Sequence, residues 1–218
     1  DVFLFNQNAC IRLTPDGEIF REEDGSASLY PPGHGDLRDA LNRGVLQRFI
    51  DRGGEYLLMS NVDNLLANLD PRVVGSHVRA SQRGAELTVE AVESLPGDSG
   101  GKPVRVDGNL RIVESFQFPE AFPYDAIPVH NTNTLLFDAE SLQKEFDLNW
   151  YVVEKQVEGR TAIQFERLAG ELSAELETHV LSVPREGDWS RYQPIKTRDD
   201  LADNAGMLQR IMRKRDVI

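Results

Sequence analysis

The sequence predicts an α/β fold with a mixed, mostly parallel sheet flanked by helices. Two observations predict it. Through much of the chain, short apolar or alternating segments typical of strands are followed by segments with helical periodicity. Such alternation is typical of parallel sheets that carry helices on both faces. In addition, the length of 218 residues and the apolar fraction of 40% are sufficient for one domain with a proper core.

Each predicted element has a local signal. Apolar or alternating runs predict strands at 1–5, 55–60, 85–92, 127–137 and 179–183, with short strands around a turn at 11–20. Turn pairs predict hairpins at 103–115, around Asp107-Gly108, and at 150–168, around Glu158-Gly159. Helical spacing and start signals predict helices at 37–50, 70–80, 138–146, 169–176 and 201–215.

The stretch YPPGHGD, residues 30–36, precedes the first predicted helix and has two interpretations. In the first it is a loop-to-helix joint, which the prolines stiffen and in which Asp36 caps the helix. In the second, Gly33 and Gly35 let the backbone approach a ligand closely. Exposed amides near the helix start would then suit an anion or a polar base edge.

The charge balance limits the possible partners. A formal net charge of −12 argues against a protein that coats nucleic acid. Anionic substrates stay compatible with it, because a few local cations and backbone amides can hold a phosphate. No apolar run is long enough to span a bilayer, so no membrane partner is expected. Cys10 is the only cysteine, which excludes an internal disulfide and indicates a reducing compartment, the cytoplasm.

Polar side chains follow several of the predicted strands. Gln7 follows the first strand, NVDN (61–64) follows the strand at 55–60, and HNTN (130–133) lies late in its own segment. Lys196 precedes the last helix. Ligands of open α/β sheets bind at the carboxyl ends of strands. The pattern therefore predicts one site assembled from distant parts of the chain.

Six motifs between Phe5 and about Leu201 carry a family resemblance. They are, in order, FNQ, YPPGHGD, SNVDN, NTNTLLF, AIQFERLAG and YQPIKT. Together they resemble the eukaryotic-type UTP–glucose-1-phosphate uridylyltransferase (UDP-glucose pyrophosphorylase) family. The resemblance implies a Rossmann-like nucleotidyltransferase core that joins UTP and glucose 1-phosphate into UDP-glucose and pyrophosphate, with Mg²⁺ as its cofactor.

The resemblance also implies a role for each matching residue. By the family pattern, Gln7 and Gly33 contact the uracil, His34 reaches the sugar phosphate, Asn61 and Asp63 lie near the phosphates with Asp63 as the magnesium ligand, Gly101, Glu114, Asn131 and Asn133 line the hexose pocket, and Lys196 contacts phosphate oxygens. Lys196 and Asp63 are therefore the expected catalytic residues.

The chain departs from the family pattern in four respects. His130 stands where the family usually has Phe, and Thr134 where it usually has Asn. The family's glycine-rich triphosphate loop and its C-terminal β-helix domain are not found in residues 1–218. We therefore expect a partial catalytic domain that is catalytically silent in isolation. GHGD and NVDN are shared with UDP-N-acetylhexosamine pyrophosphorylases, so that specificity stays an alternative, as does a nucleotide-sugar-binding module without turnover.

The implied reaction needs no protein nucleophile, because the attacking phosphate oxygen is already anionic. The protein must position two anions and neutralise charge. Each expected role nevertheless has a structural alternative: a turn cap for Asp63, a solvated side chain for Lys196, a loop-fixing histidine for His34, a backbone contact for Gln7, and turn chemistry for Asn131 and Asn133. Asn131 and Asn133 are two residues apart on a segment that is predicted to be extended, so their side chains are predicted to face the same side.

Overall fold

A computed structural model describes residue 4 and residues 6–98 and 100–217. Its strands are β1 Cys10–Ile11, β2 Leu29–Tyr30, β3 Tyr56–Met59, β4 Leu87–Glu93, β5 Lys102–Val106, β6 Asn109–Val113, β7 Val129–Asp138, β8 Tyr151–Val157, β9 Arg160–Glu166 and β10 Thr178–Ser182. Its α-helices are α1 Leu37–Leu41, α2 Val45–Asp51, α3 Pro71–Ser81 and α4 Arg198–Lys214. Among the helices of these residues, none has the length and apolar character needed to cross a membrane.

The chain divides into two compact units, Asp1–Glu55 with Ala139–Glu175, and Tyr56–Asp138 with Leu176–Ile218. In the first unit, β8 and β9 form an antiparallel hairpin, and β1 pairs antiparallel with β2. Phe20, Leu46 and Ala162 are buried in this unit. The strand predicted at 1–5 lies outside the described residues except for Leu4, which is not in a strand.

The second unit contains a mixed sheet with the strand order β10-β4-β7-β3. β10 is parallel to β4, whereas β7 is antiparallel to both β4 and β3. β3, β4 and β10 therefore run in one direction and β7 runs against them. The predicted α/β fold with a mixed sheet is confirmed. Because β7 is reversed, its first residues lie at the same edge as the carboxyl ends of its two neighbours.

The core of the second unit surrounds β4 and β7. Six of the seven residues of β4 are buried, so both faces of this strand are covered. Leu135, Leu136 and Phe137 of β7 are also buried. Helix α4 packs against Leu66 through Leu208 and Ile211. Burial of such side chains contributes about 1.5–3 kcal/mol each relative to exposure.

The strongest local signals gave correct predictions. Asp107 and Gly108 have φ values of 52° and 87°, as a two-residue hairpin turn requires. Glu158 and Gly159 have φ values of 51° and 75° and make the second predicted turn. Helix α3 begins with Pro71 in its first turn, as expected from the helix start signals.

Three predicted helices differ from the structure. The helix predicted at 37–50 is interrupted between α1 and α2, where Gly44 adopts a φ of 95°. The segments at 138–146 and 169–176 form shorter 3-10 helices, Ala139–Gln143 and Ala169–Ala174, as is common for connectors. The capping role predicted for Asp36 is wrong: its side chain makes no capping hydrogen bond, because its carboxylate is held by ionic contacts.

Candidate functional site

The YPPGHGD loop of the first unit, residues 30–36, lies against the backbone just after β9. Gly35 N–H donates to the Arg167 carbonyl at 2.9 Å, and Arg167 N–H donates to the Pro32 carbonyl at 2.8 Å. Gly33 has a φ of 89°, and a Cβ atom there would lie 2.6 Å from the Arg167 carbonyl oxygen. The same backbone would crowd a Cβ at Gly35. Gln7 Nε2 donates to the Gly33 carbonyl at 3.2 Å, so the two residues predicted to contact the base are neighbours.

The acidic end of this loop is fixed by an ionic network. Asp36 is fully buried, and its carboxylate accepts hydrogen bonds from the Asn8 backbone N–H at 2.8 Å and from Asn8 Nδ2 at 2.7 Å. Arg167 Nη2 lies 2.7 Å from Asp36 Oδ1 and 2.8 Å from Asp39 Oδ2. Asp36 therefore holds the loop to two distant segments instead of capping α1.

His34 fixes the loop through one ring nitrogen, while its other ring nitrogen makes no hydrogen bond to any residue that the structure describes. The Ala169 backbone N–H donates to His34 Nδ1 at 2.8 Å, so Nδ1 is the acceptor of the ring. Burial lowers the pKa of His34, which favours the neutral ring. The proton of that neutral ring is then on Nε2. The loop-fixing interpretation of His34 is supported, and Nε2–H stays compatible with a contact to a phosphate oxygen.

The NTN motif of β7 forms a bulge. Its residues 132–134 lie opposite the single residue Glu90 of β4. Asn133 adopts a left-handed φ of 57° and its backbone N–H donates to Asn131 Oδ1 at 2.9 Å. The bulge interrupts the strand alternation from which the two asparagines were predicted to face the same side, so alternation does not support that prediction. Instead, Asn133 Nδ2 donates to Asn61 Oδ1 at 2.9 Å, which joins two of the predicted motifs.

Three of the residues predicted for a sugar pocket are brought together. Asn131 is buried, and its backbone N–H donates to the Gly101 carbonyl at 2.9 Å. A Cβ atom on Gly101 would lie 2.8 Å from Glu114 Oε1 and 3.4 Å from Asn131 Nδ2. Carboxylate and amide oxygens with an amide nitrogen suit the mixed donors and acceptors of sugar hydroxyls.

Asp63 and Lys196 belong to adjacent segments. The Ile195 N–H donates to the Asp63 carbonyl oxygen at 2.8 Å, and Asn64 forms an antiparallel bridge with Pro194. Within the ranges 6–98 and 100–217, neither the Asp63 carboxylate nor the Lys196 ammonium makes a hydrogen bond or ion pair. Both charged groups are therefore available to a ligand.

Asp63 can hold a magnesium ion only if a bound ligand supplies further oxygen atoms to the same ion. The described residues contain no group of three or more His, Cys, Asp or Glu side chains that could hold a metal ion. Mg²⁺ commonly uses one or two carboxylates together with substrate phosphates and water. The half-buried carboxylate of Asp63 meets that requirement, whereas a cage made of protein ligands alone does not form here.

A fully buried ion pair supports this region. Glu90 of β4 and Arg191 are 0% and 3% exposed. Arg191 Nε and Nη2 donate to the two Glu90 carboxylate oxygens at 2.7 Å each, and Nη1 donates to Asn68 Oδ1 at 2.8 Å. Asn64 Nδ2 donates to the Arg191 carbonyl at 3.0 Å. The pair thereby ties β4 to the segment after β3 and to the segment before α4.

Two residues of this region were missed as site residues by sequence reasoning. Arg191 has no local motif, but Glu90 in the middle of the apolar run AELTVEAV signals a buried carboxylate that needs a cation. His130 was noted as a departure from the family and not as a site residue. It is 4% exposed and lies beside the buried Asn131.

The site residues thus form sets within each unit. Gln7, Gly33 and His34 belong to the first unit, and Asn61, Asp63, Gly101, Glu114, Asn131, Asn133 and Lys196 belong to the second. In the second unit, contacts link Asn61 with Asn133 and Gly101 with Asn131.

Comparisons with known proteins agree with the sequence motifs. Residues 1–210 match the family model described as UTP–glucose-1-phosphate uridylyltransferase. A probable UTP–glucose-1-phosphate uridylyltransferase of Schizosaccharomyces pombe is 30% identical, over 92% of this chain and 42% of the relative. A UDP-glucose pyrophosphorylase variant from Leishmania major, solved in complex with UDP-glucose, superposes with a TM-score of 0.70 at 26% identity. That superposition covers 89% of this chain and 46% of the other.

A putative UDP-N-acetylglucosamine pyrophosphorylase from Entamoeba histolytica has a TM-score of 0.76 over 90% of this chain and 54% of its own, at 19% identity. This likeness shows the shared fold alone. The chain spans less than half the length of the curated relative from S. pombe.

Proposed function

Because the chain belongs to the UTP–glucose-1-phosphate uridylyltransferase family, we propose that its full-length protein joins UTP and glucose 1-phosphate into UDP-glucose and pyrophosphate. The observation that carries the proposal is the hydrogen bond between Asn133 of NTN and Asn61 of NVDN. Two motifs that are 72 residues apart meet where β3 ends and β7 begins. The carboxyl edge of such a sheet is where ligands of α/β proteins bind.

The chemistry is an in-line displacement at phosphorus. An oxygen of the sugar phosphate attacks the α-phosphorus of UTP, a new P–O bond forms, and the bond to the β-phosphate breaks to release pyrophosphate. Two anions a few ångströms apart repel by several kcal/mol, about 4 per pair of unit charges at an effective dielectric of 20. The protein's task is to offset that repulsion and hold the reactants in line.

The second unit supplies the charges for this task. Asp63 would hold Mg²⁺ together with substrate phosphates, and the ion would supply neutralisation of phosphate charge. The exposed ammonium of Lys196 would bind phosphate oxygens as a compact point charge. The hydrogen bond from the Ile195 N–H to the Asp63 carbonyl holds the backbone before Lys196 beside the backbone of Asp63.

The first unit supplies neutral recognition groups. Gln7 has an amide donor and acceptor that suit a uracil edge. The Gly33 backbone lies beside Gln7, because its carbonyl accepts a hydrogen bond from Gln7 Nε2. The Nε2–H of neutral His34 would donate to a phosphate oxygen of the sugar phosphate without adding a charge that varies near neutral pH. We place the protein in the cytoplasm, where a single unpaired Cys10 stays reduced.

One observation keeps the identity of the hexose open. His130 and Thr134 replace the Phe and Asn of the family pattern and lie in the strand that carries Asn131. A second candidate function is therefore the same transfer with an N-acetylhexosamine 1-phosphate. Gly101, Glu114, Asn131 and Asn133 would line the sugar pocket in either case.

The deciding experiment measures pyrophosphate release by the full-length protein from UTP with glucose 1-phosphate or with N-acetylglucosamine 1-phosphate. We expect turnover that depends on Mg²⁺ and favours glucose 1-phosphate. Preference for the acetylated sugar would select the second candidate. Binding of UDP-glucose without any pyrophosphate release would contradict both and favour a binding module.

A single substitution tests the metal role. Asp63→Asn should lower kcat at least 10²-fold at saturating Mg²⁺, because the amide removes the anionic ligand. The melting temperature should stay within about 2 °C of the wild-type value, because Ile195 bonds to the backbone oxygen of this residue and not to its carboxylate. Wild-type kcat in the variant would remove Asp63 from the metal site.

A further inference from the structure

A cavity of about 450 Å³ lies in the second unit, at the amino ends of the parallel strands β4 and β10. The end of α3 and the turn after it form one wall, and the first residues of β10 form the other. The polar residues that line the cavity are Ser76, Arg79, Arg83, Glu177, Thr178 and His179. Arg79 and Arg83 are exposed, so a dissolved ligand can reach this cavity.

The cavity is separate from the candidate site of the same unit. Thr178 of β10 lies opposite Leu87, where β4 begins, whereas Asn131 of the candidate site lies opposite Ala91. Four residues of a strand span about 13 Å, because each residue advances the chain by about 3.3 Å. Among the described residues that line the cavity, none is assigned to the uracil, the sugar, the phosphates or magnesium. A ligand bound here would therefore make contacts that the proposed reaction does not use.

Neither Arg79 nor Arg83 makes a hydrogen bond or an ion pair through its guanidinium with any residue that the structure describes. Elsewhere in this chain of net charge −12, Arg167 and Arg185 pair with carboxylates. Glu177 lines the same cavity and is exposed, but neither arginine of the cavity pairs with it. Two uncompensated cations in one cavity of an acidic protein indicate a site for an anion from solution.

The donors of this cavity come from two elements. Arg79 and Arg83 are four positions apart, so they lie on the same side of α3 and of the turn that continues it. A Cβ atom on Gly75 would lie 3.6 Å from Arg79 Nη1, so this guanidinium lies back along the helix toward Gly75. The half-buried ring of His179 approaches from β10. Cations at the end of a helix also complement the helix dipole, which is the structural alternative for both arginines.

These donors match a phosphate group. Two guanidinium charges balance the charge of about −1.5 to −2 that a phosphate monoester carries at neutral pH. Guanidinium groups bind phosphate oxygens through paired hydrogen bonds, and the Ser76 hydroxyl and the His179 ring can donate further ones. We propose that the cavity binds a phosphate dianion between Arg79, Arg83 and His179, either as free phosphate or as the ester of a small molecule. The site goes beyond the proposed function and does not depend on it.

The test is a calorimetric titration of the full-length protein at constant ionic strength, with saturating UDP-glucose present to occupy the candidate site. The probes are inorganic phosphate and glycerol 2-phosphate. We expect one saturable site per chain, and the probe that binds more tightly tells whether free phosphate or a phosphate ester is the ligand. Arg79→Gln/Arg83→Gln should raise the dissociation constant at least about tenfold, because charge-assisted hydrogen bonds are lost.

Two further variants control for charge. Glu177→Gln should lower the dissociation constant, because it removes a carboxylate that repels the anion. Arg105→Gln/Arg213→Gln removes the same charge as the first double variant at two exposed positions outside the cavity. It should leave the dissociation constant within about twofold of the wild-type value, because a distant exposed charge is screened by salt.

The absence of saturable binding in the wild type would overturn the proposal. Equal affinity of the wild type and Arg79→Gln/Arg83→Gln would also overturn it and leave both arginines as partners of the helix dipole. If that double variant does not fold, Glu177→Gln decides, since an affinity no tighter than wild type contradicts an anion beside its carboxylate. Pyrophosphate release is assayed separately, so failure of the proposed function leaves these comparisons valid.

Discussion

Arg191→Met should strongly destabilise the protein, although Arg191 is not one of the predicted ligand-binding residues. It removes the guanidinium from a pair in which the partners are 3% and 0% exposed, and leaves the Glu90 carboxylate buried without its cation. It also removes the donors to Asn68. Methionine keeps much of the buried volume, so the change in charge dominates the effect.

The magnitude follows from the burial of both partners. Breaking a buried ion pair by removing one partner costs about 3–5 kcal/mol. Because neither Glu90 nor Arg191 is exposed, no discount for solvent screening applies. For a domain of about 150–250 residues, each kcal/mol shifts the melting temperature by about 2–4 °C, so we expect a fall of about 6–20 °C.

The deficit should depend on pH. Burial raises the pKa of Glu90 from its usual 4.5, and Arg191 opposes the rise. Without Arg191 the pKa rises further, so the stability that protonated Glu90 confers is present below the usual pKa and is lost as the pH rises through the folded-state pKa. The unfolding deficit of Arg191→Met relative to wild type should therefore be smaller at about pH 5 than at about pH 8.

Thermal unfolding at both pH values measures this, with Glu90→Met/Arg191→Met as the matched control. The double variant has no uncompensated carboxylate and should recover at least half of the loss, although its contacts to Asn68 stay broken. A melting temperature of Arg191→Met within about 2 °C of wild type, or a deficit that does not vary with pH, would refute this reasoning.

Three further predictions concern the candidate site in the full-length protein. Lys196→Ala should lower kcat about 10²-fold or more and Lys196→Arg should restore it only in part, which steady-state kinetics will show; an alanine variant within threefold of wild type makes Lys196 an ordinary surface lysine. Gly33→Ala should lower the melting temperature more than Gly25→Ala does, because both have positive φ but only Gly33 would meet a backbone oxygen at 2.6 Å; equal shifts would contradict the close packing. Asn133→Gly should raise the KM for the sugar phosphate with little loss of stability, since glycine accepts the φ of 57° but cannot bond to Asn61; an unchanged KM would leave that bond a purely structural one.

Sequence patterns predicted those elements whose causes are local. The Asp107-Gly108 and Glu158-Gly159 turns and the Pro71 helix start each depend on residues within a few positions. The same holds for the strand that became β3, whose apolar run ends at the polar motif after it. Local chemistry is sufficient to place such elements, so NVDN could be assigned to the end of a strand before the structure. HNTN, expected late in its segment, lies instead at the start of β7, and it reaches the same edge of the sheet only because β7 is reversed.

The features that were missed depend on distant partners. Glu90 and Arg191 are 101 residues apart, and no window of sequence pairs them. The bulge at Asn133 also has no local signal, because strand alternation predicts an unbroken β7 there. Asp36 is a further example of a distant partner that local sequence does not reveal. Its position favours a helix cap, but the distant Arg167 offers a stronger, charge-assisted contact.

The connection between β4 and β7 affects how this fold can vary in length. Between β4 and β7 the chain leaves the four-stranded sheet, forms the separate β5–β6 hairpin, and returns to the sheet at Val129. Gly101 and Glu114 stand at the two ends of that hairpin, while Asn131 belongs to the sheet. Insertions or deletions at the hairpin tip can therefore accumulate without disturbing the register of the core strands.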